Sequence, residues 1–470
     1  MGSISSAFSI MTGALQADQS ALNTVANNVA NASTPGYTRE SANFSENSPI
    51  TISGTQYGTG VSFTGAISVR DRILEQRLAQ QQQQASASSA RLTALEQIQA
   101  LFTPASGSST STAGNIGSDV TAFFSSFASL EANPTNNALR QQILSSASTL
   151  AGDVSNAAAS LNAQQAALDQ EASGVTSQVN ALTSAIANLN TQIQSSSPNA
   201  DAGALEDQRQ QAIAKLAQLV GINQIATENN GLTITTTSGQ LLVSQGLSYQ
   251  LTTGPVGGLT HFFVGSTDVT SQLASGGGEL GGYLTARDQD IPSALSSLDQ
   301  LAYSIATAVN AQNNAGTDLA GDNGNAGNIF YEPTQVAGSA SSFAVVMTDP
   351  NHIAAAALGA GTGDNSNITT MANLANQTLV NGQTPINYFA AFTSTLGSTV
   401  SQVTTENTAQ NASVTQLQNL RDSLSAVNLN DEAAAMQVFE RSYQAASQMF
   451  SILNSLMATT INLGTQTAVS

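Results

Sequence analysis

Apolar residues recur at alternating steps of four and three positions at both ends of the chain. This spacing places a continuous apolar stripe on one side of a helix, and it is typical of helices that pack along a partner helix. Near the start, the stripe consists of Ile4, Phe8, Met11, Leu15, Leu22, Val25 and Val29. Near the end, it consists of Met436, Phe439, Tyr443, Ala446, Phe450, Leu453 and Met457. We name these residues the terminal seam, and the pattern predicts two terminal amphipathic helices that pair with each other.

The most regular stretch of the chain runs from Asp153 to Ile193, where apolar residues fill eleven of twelve heptad positions. At 1.5 Å per residue, a helix of this length is a rod of about 60 Å. Apolar spacing also predicts helices over residues 71–102, 117–131, 135–152, 202–220, 284–314 and 388–427.

Between residues 222 and 283 the apolar period changes from that of a helix to that of a strand. Short β-branched runs such as residues 232–236 alternate with glycine-containing turns, which predicts a small antiparallel β domain. Residues 41–69 carry a weaker β pattern. Residues 315–370 are rich in Gly, Asn and Asp, as expected of a long loop with one hairpin.

These elements predict a mainly α fold with a β insertion. Long antiparallel, coiled-coil-like helices come from both chain ends, and the small antiparallel β domain lies at the far end. Three domains are expected. They are a terminal helical inner domain (1–34 with 429–470), a long-helix bundle (35–221 with 284–428, carrying the 315–370 insertion) and the β domain (222–283).

The charge balance narrows the range of partners. The chain has a formal net charge of −19 and only 11 basic residues, so neither nucleic acid nor an anionic membrane surface is an expected partner. It has no cysteine, which excludes disulfides, iron–sulfur clusters, thiolate zinc sites and cysteine nucleophiles. The first basic residue is Arg39, so the start lacks the positive region of a Sec signal peptide.

Candidate chemistry is sparse. His261 and His352 are the only histidines, and neither has a second histidine or a carboxylate at the sequence spacing of common metal sites. We therefore expect a structural role for both. Asp318 and Asp322 lie in a stretch that resembles a calcium loop in composition, but position 320 is alanine where an EF-hand requires an oxygen ligand. No catalytic residue, cofactor or metal site is predicted, and the chain is not expected to be an enzyme.

The end of the first helix carries a recognisable signature. Residues 30–39, ANASTPGYTR, resemble the N-terminal signature of bacterial flagellar axial proteins, which include rod, hook and hook-associated proteins. Residues 427–434 and 443–447 resemble the C-terminal partner signature of the same family. Residues 281–288 and 308–312 are similar to the hook-associated members of the hook–filament junction. The signature residues singled out are Asn31, Thr34, Pro35, Gly36, Tyr37 and Arg39.

The resemblance implies a structural subunit of the flagellum at the junction between hook and filament. It implies secretion through the flagellar type III export channel and an extracellular location. The implied partners are further copies of the chain in a ring or tube, the hook protein, a second junction protein, flagellin and an export chaperone. In this interpretation the terminal seam is the subunit interface, and no cofactor is implied.

Two other functions fit part of the pattern. A flagellin-like filament subunit, or another hook or rod axial protein, would share the terminal helices, although residues 34–37 and 281–288 favour the junction type. An enzyme carried on such a scaffold, for example a glycan hydrolase, would need paired acidic residues in the β insertion. Asp268 is the only acidic residue between positions 232 and 278.

Overall fold

Helices dominate the chain, and a long helix lies at each end of it. The computed structural model describes residues 2–52, 54–103, 116–196 and 201–466. Its α-helices are α1 (Gly2–Asn31), α2 (Arg72–Phe102), α3 (Ile116–Glu131), α4 (Asn137–Ser196), α5 (Ala204–Leu219), α6 (Thr270–Gly276), α7 (Gly278–Thr285), α8 (Ile291–Asn314), α9 (Ser366–Asn373), α10 (Pro385–Ser425) and α11 (Leu429–Gln466). The predicted fold class, mainly α with long helices at both ends and small antiparallel sheets, is confirmed.

The strands are short. They are β1 (Glu40–Glu46), β2 (Ile50–Ile52), β3 (Thr55–Tyr57), β4 (Val61–Ser68), β5 (Ile222–Ala226), β6 (Leu232–Thr236), β7 (Leu241–Ser244), β8 (Leu247–Ser248), β9 (Leu251–Val256), β10 (Leu259–Val264), β11 (Thr267–Asp268), β12 (Gly316–Thr317) and β13 (Ala356–Ala357). The sheet order is β5-β6-β7-β8 in the larger β region and β11-β10-β9 beside it in sequence. The weak β pattern of residues 41–69 corresponds to the antiparallel pairs β1–β4 and β2–β3.

Helix α4 is longer than the sequence indicated. The predicted helices 135–152 and 153–193 form one continuous helix of 60 residues. The buried face of α4 continues past Gly152, because Leu150 and Val154 on either side of this glycine are both buried. At the start of α4, the Asn136 Oδ1 atom accepts hydrogen bonds from the backbone N–H groups of Ala138 (2.9 Å) and Leu139 (3.3 Å), a typical N-cap.

The predicted helix 284–314 begins earlier and is less regular than expected. A π-helical turn, Ala286–Asp290, lies between α7 and α8. Arg287 in this turn is buried, and its guanidinium binds the Asp169 carboxylate (2.5 Å), the Thr260 carbonyl (2.7 Å) and the carboxylate of Asp288 (2.7 Å). The turn therefore places a buried cation on acceptors from three segments, which offsets the poorer backbone geometry of a π turn.

Contact density divides the chain into two compact units. The terminal unit contains residues 1–83, 178–251 and 411–470, and the central unit contains residues 84–177 and 252–410. The core of the central unit includes an aromatic cluster, in which the Phe123 ring lies 4.9 Å from Phe127 and 5.4 Å from Phe330 between centroids. Phe330 also stacks on Phe343 at 4.6 Å, so the glycine-rich region 315–370 supplies aromatic side chains to this core.

In the terminal unit, α1 and α11 lie along each other, and β1 and β4 pack on α1. Among the described residues, no helix has the combination of length and apolar content that a membrane span requires.

Candidate functional site

The terminal seam joins α1 to α11 within one chain. The rings of Phe8 and Phe450 meet edge to face with centroids 5.0 Å apart. Near the other end of the pair, the Asn28 side chain donates a hydrogen bond to Glu432. The start of α1 therefore lies beside the later part of α11, and the end of α1 lies beside the start of α11. The two helices are antiparallel.

One partner helix covers the seam only in part. Val25 and Ala446 are buried, whereas Val29 and Tyr443 are exposed. The remaining seam residues are half-buried, namely Ile4, Phe8, Met11, Leu15, Leu22, Met436, Phe439, Phe450, Leu453 and Met457. The structure thus brings the two halves of the seam together and leaves apolar surface along it.

Helix α11 carries a second apolar stripe, which the sequence analysis missed. Val438, Met449, Ile452 and Leu456 are between 51 % and 64 % exposed, and we name them the outer stripe. Each directly precedes a seam residue in the sequence, so the outer stripe lies about 100° around the helix from the seam. In the sequence, the signal for this face is a second heptad register that is offset by one position from the terminal seam.

A buried polar cluster holds the signature segment to the start of α11. Its centre is Asn28, which is 1 % exposed. The Asn28 Oδ1 atom accepts hydrogen bonds from the Glu40 backbone N–H (2.9 Å) and the Tyr37 hydroxyl (2.8 Å), and its Nδ2 donates to the Glu40 carbonyl (2.8 Å) and Glu432 Oε2 (3.0 Å). Two acceptor and two donor positions are therefore filled, which satisfies the whole amide.

Glu432 completes this cluster from the other end of the chain. Its carboxylate is 1 % exposed, and its Oε1 atom accepts from Arg39 Nε at 2.7 Å. Arg39 also donates its backbone N–H to the Ser425 carbonyl at 2.9 Å. Glu432 lies in the first turn of α11, where a negative charge is favoured by the helix dipole. We name Asn28, Tyr37, Arg39, Glu40 and Glu432 the terminal latch.

The signature turn between α1 and β1 is fixed by local geometry. Helix α1 ends at Asn31, whose carbonyl accepts from the Thr34 backbone N–H at 2.9 Å. Gly36 has φ +78°, and a Cβ atom there would lie 2.7 Å from the Gln211 side chain. Gln211 in turn donates to the Pro35 carbonyl at 3.0 Å. Asn31 and Thr34 thus form the turn by a backbone hydrogen bond, and Pro35 and Gly36 lie against the Gln211 side chain.

The segment after the turn is tied to α5. Thr38 donates to the Asp207 carboxylate through both its backbone N–H (3.0 Å) and its hydroxyl (2.7 Å), and Arg70 forms an ion pair with the same carboxylate. Burial raises the pKa of Asp207. Burial, and then the negative charge of Glu40, Asp207 and Glu432, also raises the pKa of the Tyr37 hydroxyl, which keeps that hydroxyl a neutral donor to Asn28.

Both histidines lie beside carboxylates that their sequence spacing did not indicate. His261 Nδ1 is 2.6 Å from Asp268 Oδ2. His352 Nδ1 is 2.7 Å from Asp318 Oδ2 and 3.5 Å from Asp322 Oδ2. Asp318 and His352 are 34 positions apart in the chain, and only the tertiary structure brings them together.

Two family models match the sequence. The model described as flagellar hook-associated protein FlgK helical domain matches residues 95–330. The model described as flagella basal body rod protein matches residues 9–38, which include most of α1 and the signature turn.

Relatives match along almost the whole chain. Flagellar hook-associated protein 1 of Escherichia coli (strain K12) is 26 % identical over 544 residues, with 96 % of this chain and 98 % of the relative covered. The protein of the same name from Bacillus subtilis (strain 168) is 28 % identical over 501 residues, with 96 % of each chain covered.

A solved structure, "The structure of the flagellar hook junction protein FlgK from Burkholderia pseudomallei", has a similar fold, with a TM-score of 0.66 at 19 % identity. The match covers 74 % of this chain and all of that one. With a family model matching residues 95–330 and whole-length relatives of one name, the chain belongs to the family of the flagellar hook-associated protein FlgK.

Proposed function

We propose that the protein is a structural subunit of the bacterial flagellum that forms the junction between hook and filament. The proposal is supported by the names of the relatives, which cover the chain almost end to end, and by the shared fold with a solved flagellar hook junction protein. In this role the subunit works by assembly and carries out no catalysis. It is exported through the type III channel with the help of a chaperone and acts outside the cell.

The outer stripe is the observation that carries the proposal. Completely burying a large apolar side chain contributes about 1.5–3 kcal/mol. The four outer-stripe residues are each about half exposed, so covering them would contribute roughly 3–6 kcal/mol per helix. A surface of this kind on a terminal helix is well suited to contact neighbouring copies in a ring.

The half-buried terminal seam has a second role in the same assembly. Its exposed edge, including Val29 and Tyr443, would be covered by the α1–α11 pair of the next subunit. We propose that residues 1–34 with 429–470 form the inner assembly domain. The bundle 35–221 with 284–428 then contacts the hook protein on one side, and the second junction protein and flagellin on the other.

A pair of double variants tests the role of the outer stripe. Val438→Gln with Ile452→Gln should leave the monomer folded but prevent its incorporation, because glutamine keeps helix propensity and removes apolar surface. Cells should then show hooks without filaments and release flagellin into the medium. The matched control is Ile225→Gln with Leu247→Gln, two residues of the same unit that are 52 % and 66 % exposed.

The control variant should assemble as the unchanged protein does. Normal incorporation of the Val438/Ile452 variant, with filaments of ordinary number, would contradict the proposed assembly surface. Circular dichroism of both purified monomers checks that the helices are intact.

The match of residues 9–38 to a basal body rod model favours a second candidate, another axial position such as the rod. Deletion of the whole gene separates the two. Loss of a junction subunit leaves hooks without filaments, whereas loss of a rod subunit leaves no hooks, and electron microscopy of the cell surface distinguishes these results.

A further inference from the structure

Asp318, Asp322 and His352 form a cluster of potential metal ligands in the central unit. One ligand atom from each residue lies within 4.8 Å of the other two. Asp318 directly follows β12, and His352 ends the short 3₁₀ turn Pro350–His352. The cluster therefore joins two segments that are distant in sequence and lies far along the chain from the latch residues.

The position of Asp318 is fixed by the fold. Its side chain has no exposed surface, and its Oδ1 atom accepts from the Asp322 backbone N–H at 2.9 Å. The Asp318 N–H donates to the Asp322 carbonyl at 3.2 Å, and the Leu319 N–H donates to the Asn351 carbonyl at 3.0 Å. The Asp318 Oδ2 atom is thus held in one place and presented towards His352.

The spacing suits a small divalent ion with nitrogen and oxygen ligands. Zinc–ligand bonds of about 2.1 Å in a tetrahedron place neighbouring ligand atoms about 3.4 Å apart. His352 Nδ1 and Asp322 Oδ2 are already 3.5 Å apart. His352 Nδ1 and Asp318 Oδ2 are 2.7 Å apart and would have to separate by roughly 0.7 Å to reach that spacing. The His352 and Asp322 side chains are 37 % and 53 % exposed, so both can make this adjustment.

The charged groups around the cluster also favour a cation. The carboxylates of Asp318 and Asp322 lie 2.7 Å and 3.5 Å from the Nδ1 atom of His352. The nearby guanidinium is that of Arg140, which acts on Asp318 and donates to the backbone carbonyls of Pro134 and Pro350. A divalent ion would be attracted by the Asp318 and Asp322 carboxylates, and the Arg140 guanidinium offsets part of their charge.

We propose that Asp318, Asp322 and His352 bind a divalent transition-metal ion of the zinc type, with water in the fourth position. An imidazole ligand and only two carboxylates disfavour calcium and magnesium, which prefer oxygen ligands alone. The ion would tie residues 318–322 to residues 350–352 and so stabilise the region that supplies Phe330 and Phe343 to the core. Its role is structural and is separate from the assembly surface of the terminal helices.

Calorimetric titration of the tag-free, full-length protein with zinc chloride tests the proposal. The chain has no cysteine and only two histidines, so few other zinc ligands compete. We expect one ion per chain and a higher melting temperature with zinc than with calcium. His352→Ala should weaken binding by at least about tenfold, and Asp322→Asn, which keeps the side-chain shape, should weaken it as well.

His261→Ala is the matched control, because His261 contacts a single carboxylate, Asp268. This variant should bind zinc as the unchanged protein does. The proposal is overturned if the unchanged protein takes up no zinc, if His352→Ala and Asp322→Asn bind it undiminished, or if His261→Ala abolishes binding. A positive result leaves the proposed junction function untouched, since that function is tested by assembly in cells.

Discussion

Replacing Glu432 with alanine should loosen the terminal latch by a measurable amount. The substitution removes the acceptor of two hydrogen bonds, from Arg39 Nε at 2.7 Å and from Asn28 Nδ2 at 3.0 Å. The Arg39 side chain is 34 % exposed, so water can replace its lost partner. The Asn28 amide is buried, so the Nδ2 hydrogen that Glu432 accepts would be left unpaired, while the other stays on the Glu40 carbonyl. One unpaired buried donor costs about 1–3 kcal/mol. With the lost charge-assisted bond to Arg39, we expect a total of about 2–4 kcal/mol.

Glutamine at position 432 should recover at most half of this loss. Both partners of the Glu432 carboxylate are donors, and glutamine has only one acceptor oxygen. Its NH₂ group would therefore face either the Arg39 guanidinium or the Asn28 amide, and one donor would remain unpaired. The expected order of latch stability is Glu432, then Glu432→Gln, then Glu432→Ala.

Native-state hydrogen exchange is the appropriate assay, because the chain has two units and is not expected to unfold in one step. The backbone N–H groups of Arg39 and Glu40 report on the latch, since they donate to Ser425 and Asn28. A loss of 2–4 kcal/mol corresponds to a fall in their protection of about 30- to 700-fold. Glu440→Ala, at an exposed position of the same helix, is the control and should change protection little. Equal protection in the Glu432→Ala and Glu440→Ala variants would refute the reasoning.

Two further substitutions test other parts of the structure. Gly36→Ala should lower the melting temperature more than Gly239→Ala does. Both glycines have positive φ, but a Cβ at Gly36 meets Gln211, and one at Gly239 meets nothing within 4 Å; equal effects would argue against the contact. Burial, and then the neighbouring Asp153 carboxylate, raise the pKa of Asp119 from 3.8 to about 7. Because the folded pKa is the higher one, this group should favour folding increasingly as the pH falls from above 7 towards 4. Asp119→Asn should therefore raise the melting temperature at about pH 8 and flatten its pH dependence, and a lower melting temperature at that pH would contradict the assignment.

The sequence predicts those parts of the fold that are determined by a local residue pattern alone. Helices α1 and α11 follow from long runs of apolar residues at helical spacing, and the end of α1 follows from Pro35 and Gly36, which favour a turn. The sequence predicted two helices, 135–152 and 153–193, because Gly152 interrupts the helical apolar spacing between them. In the structure they are one helix, since buried residues on both sides of Gly152 hold the helix together. The π turn at Ala286–Asp290 was missed because its cause, the buried Arg287, depends on acceptors from other segments.

The candidate site was predictable only in outline. The signature turn was found from its residues, but the buried partners Asn28 and Glu432 are 404 positions apart, and no local spacing connects them. The same holds for Asp318 and His352. The outer stripe was available in the sequence as a second apolar register on α11, and it becomes apparent once the structure shows which register α1 already covers.

The terminal latch has a consequence for the order in which the chain can reach its final form. Two apolar stripes at heptad spacing can slide past each other by one repeat at little cost, but such a slide would leave the buried amide of Asn28 and the buried carboxylate of Glu432 without partners. The correct alignment of the first helix thus depends on a residue 404 positions further along the chain. If the chain is exported N-terminus first, as proposed, the first helix cannot take its final alignment until Glu432 has also left the channel. The pairing of α1 with α11 would then follow export and take place beside the neighbouring subunits of the proposed assembly.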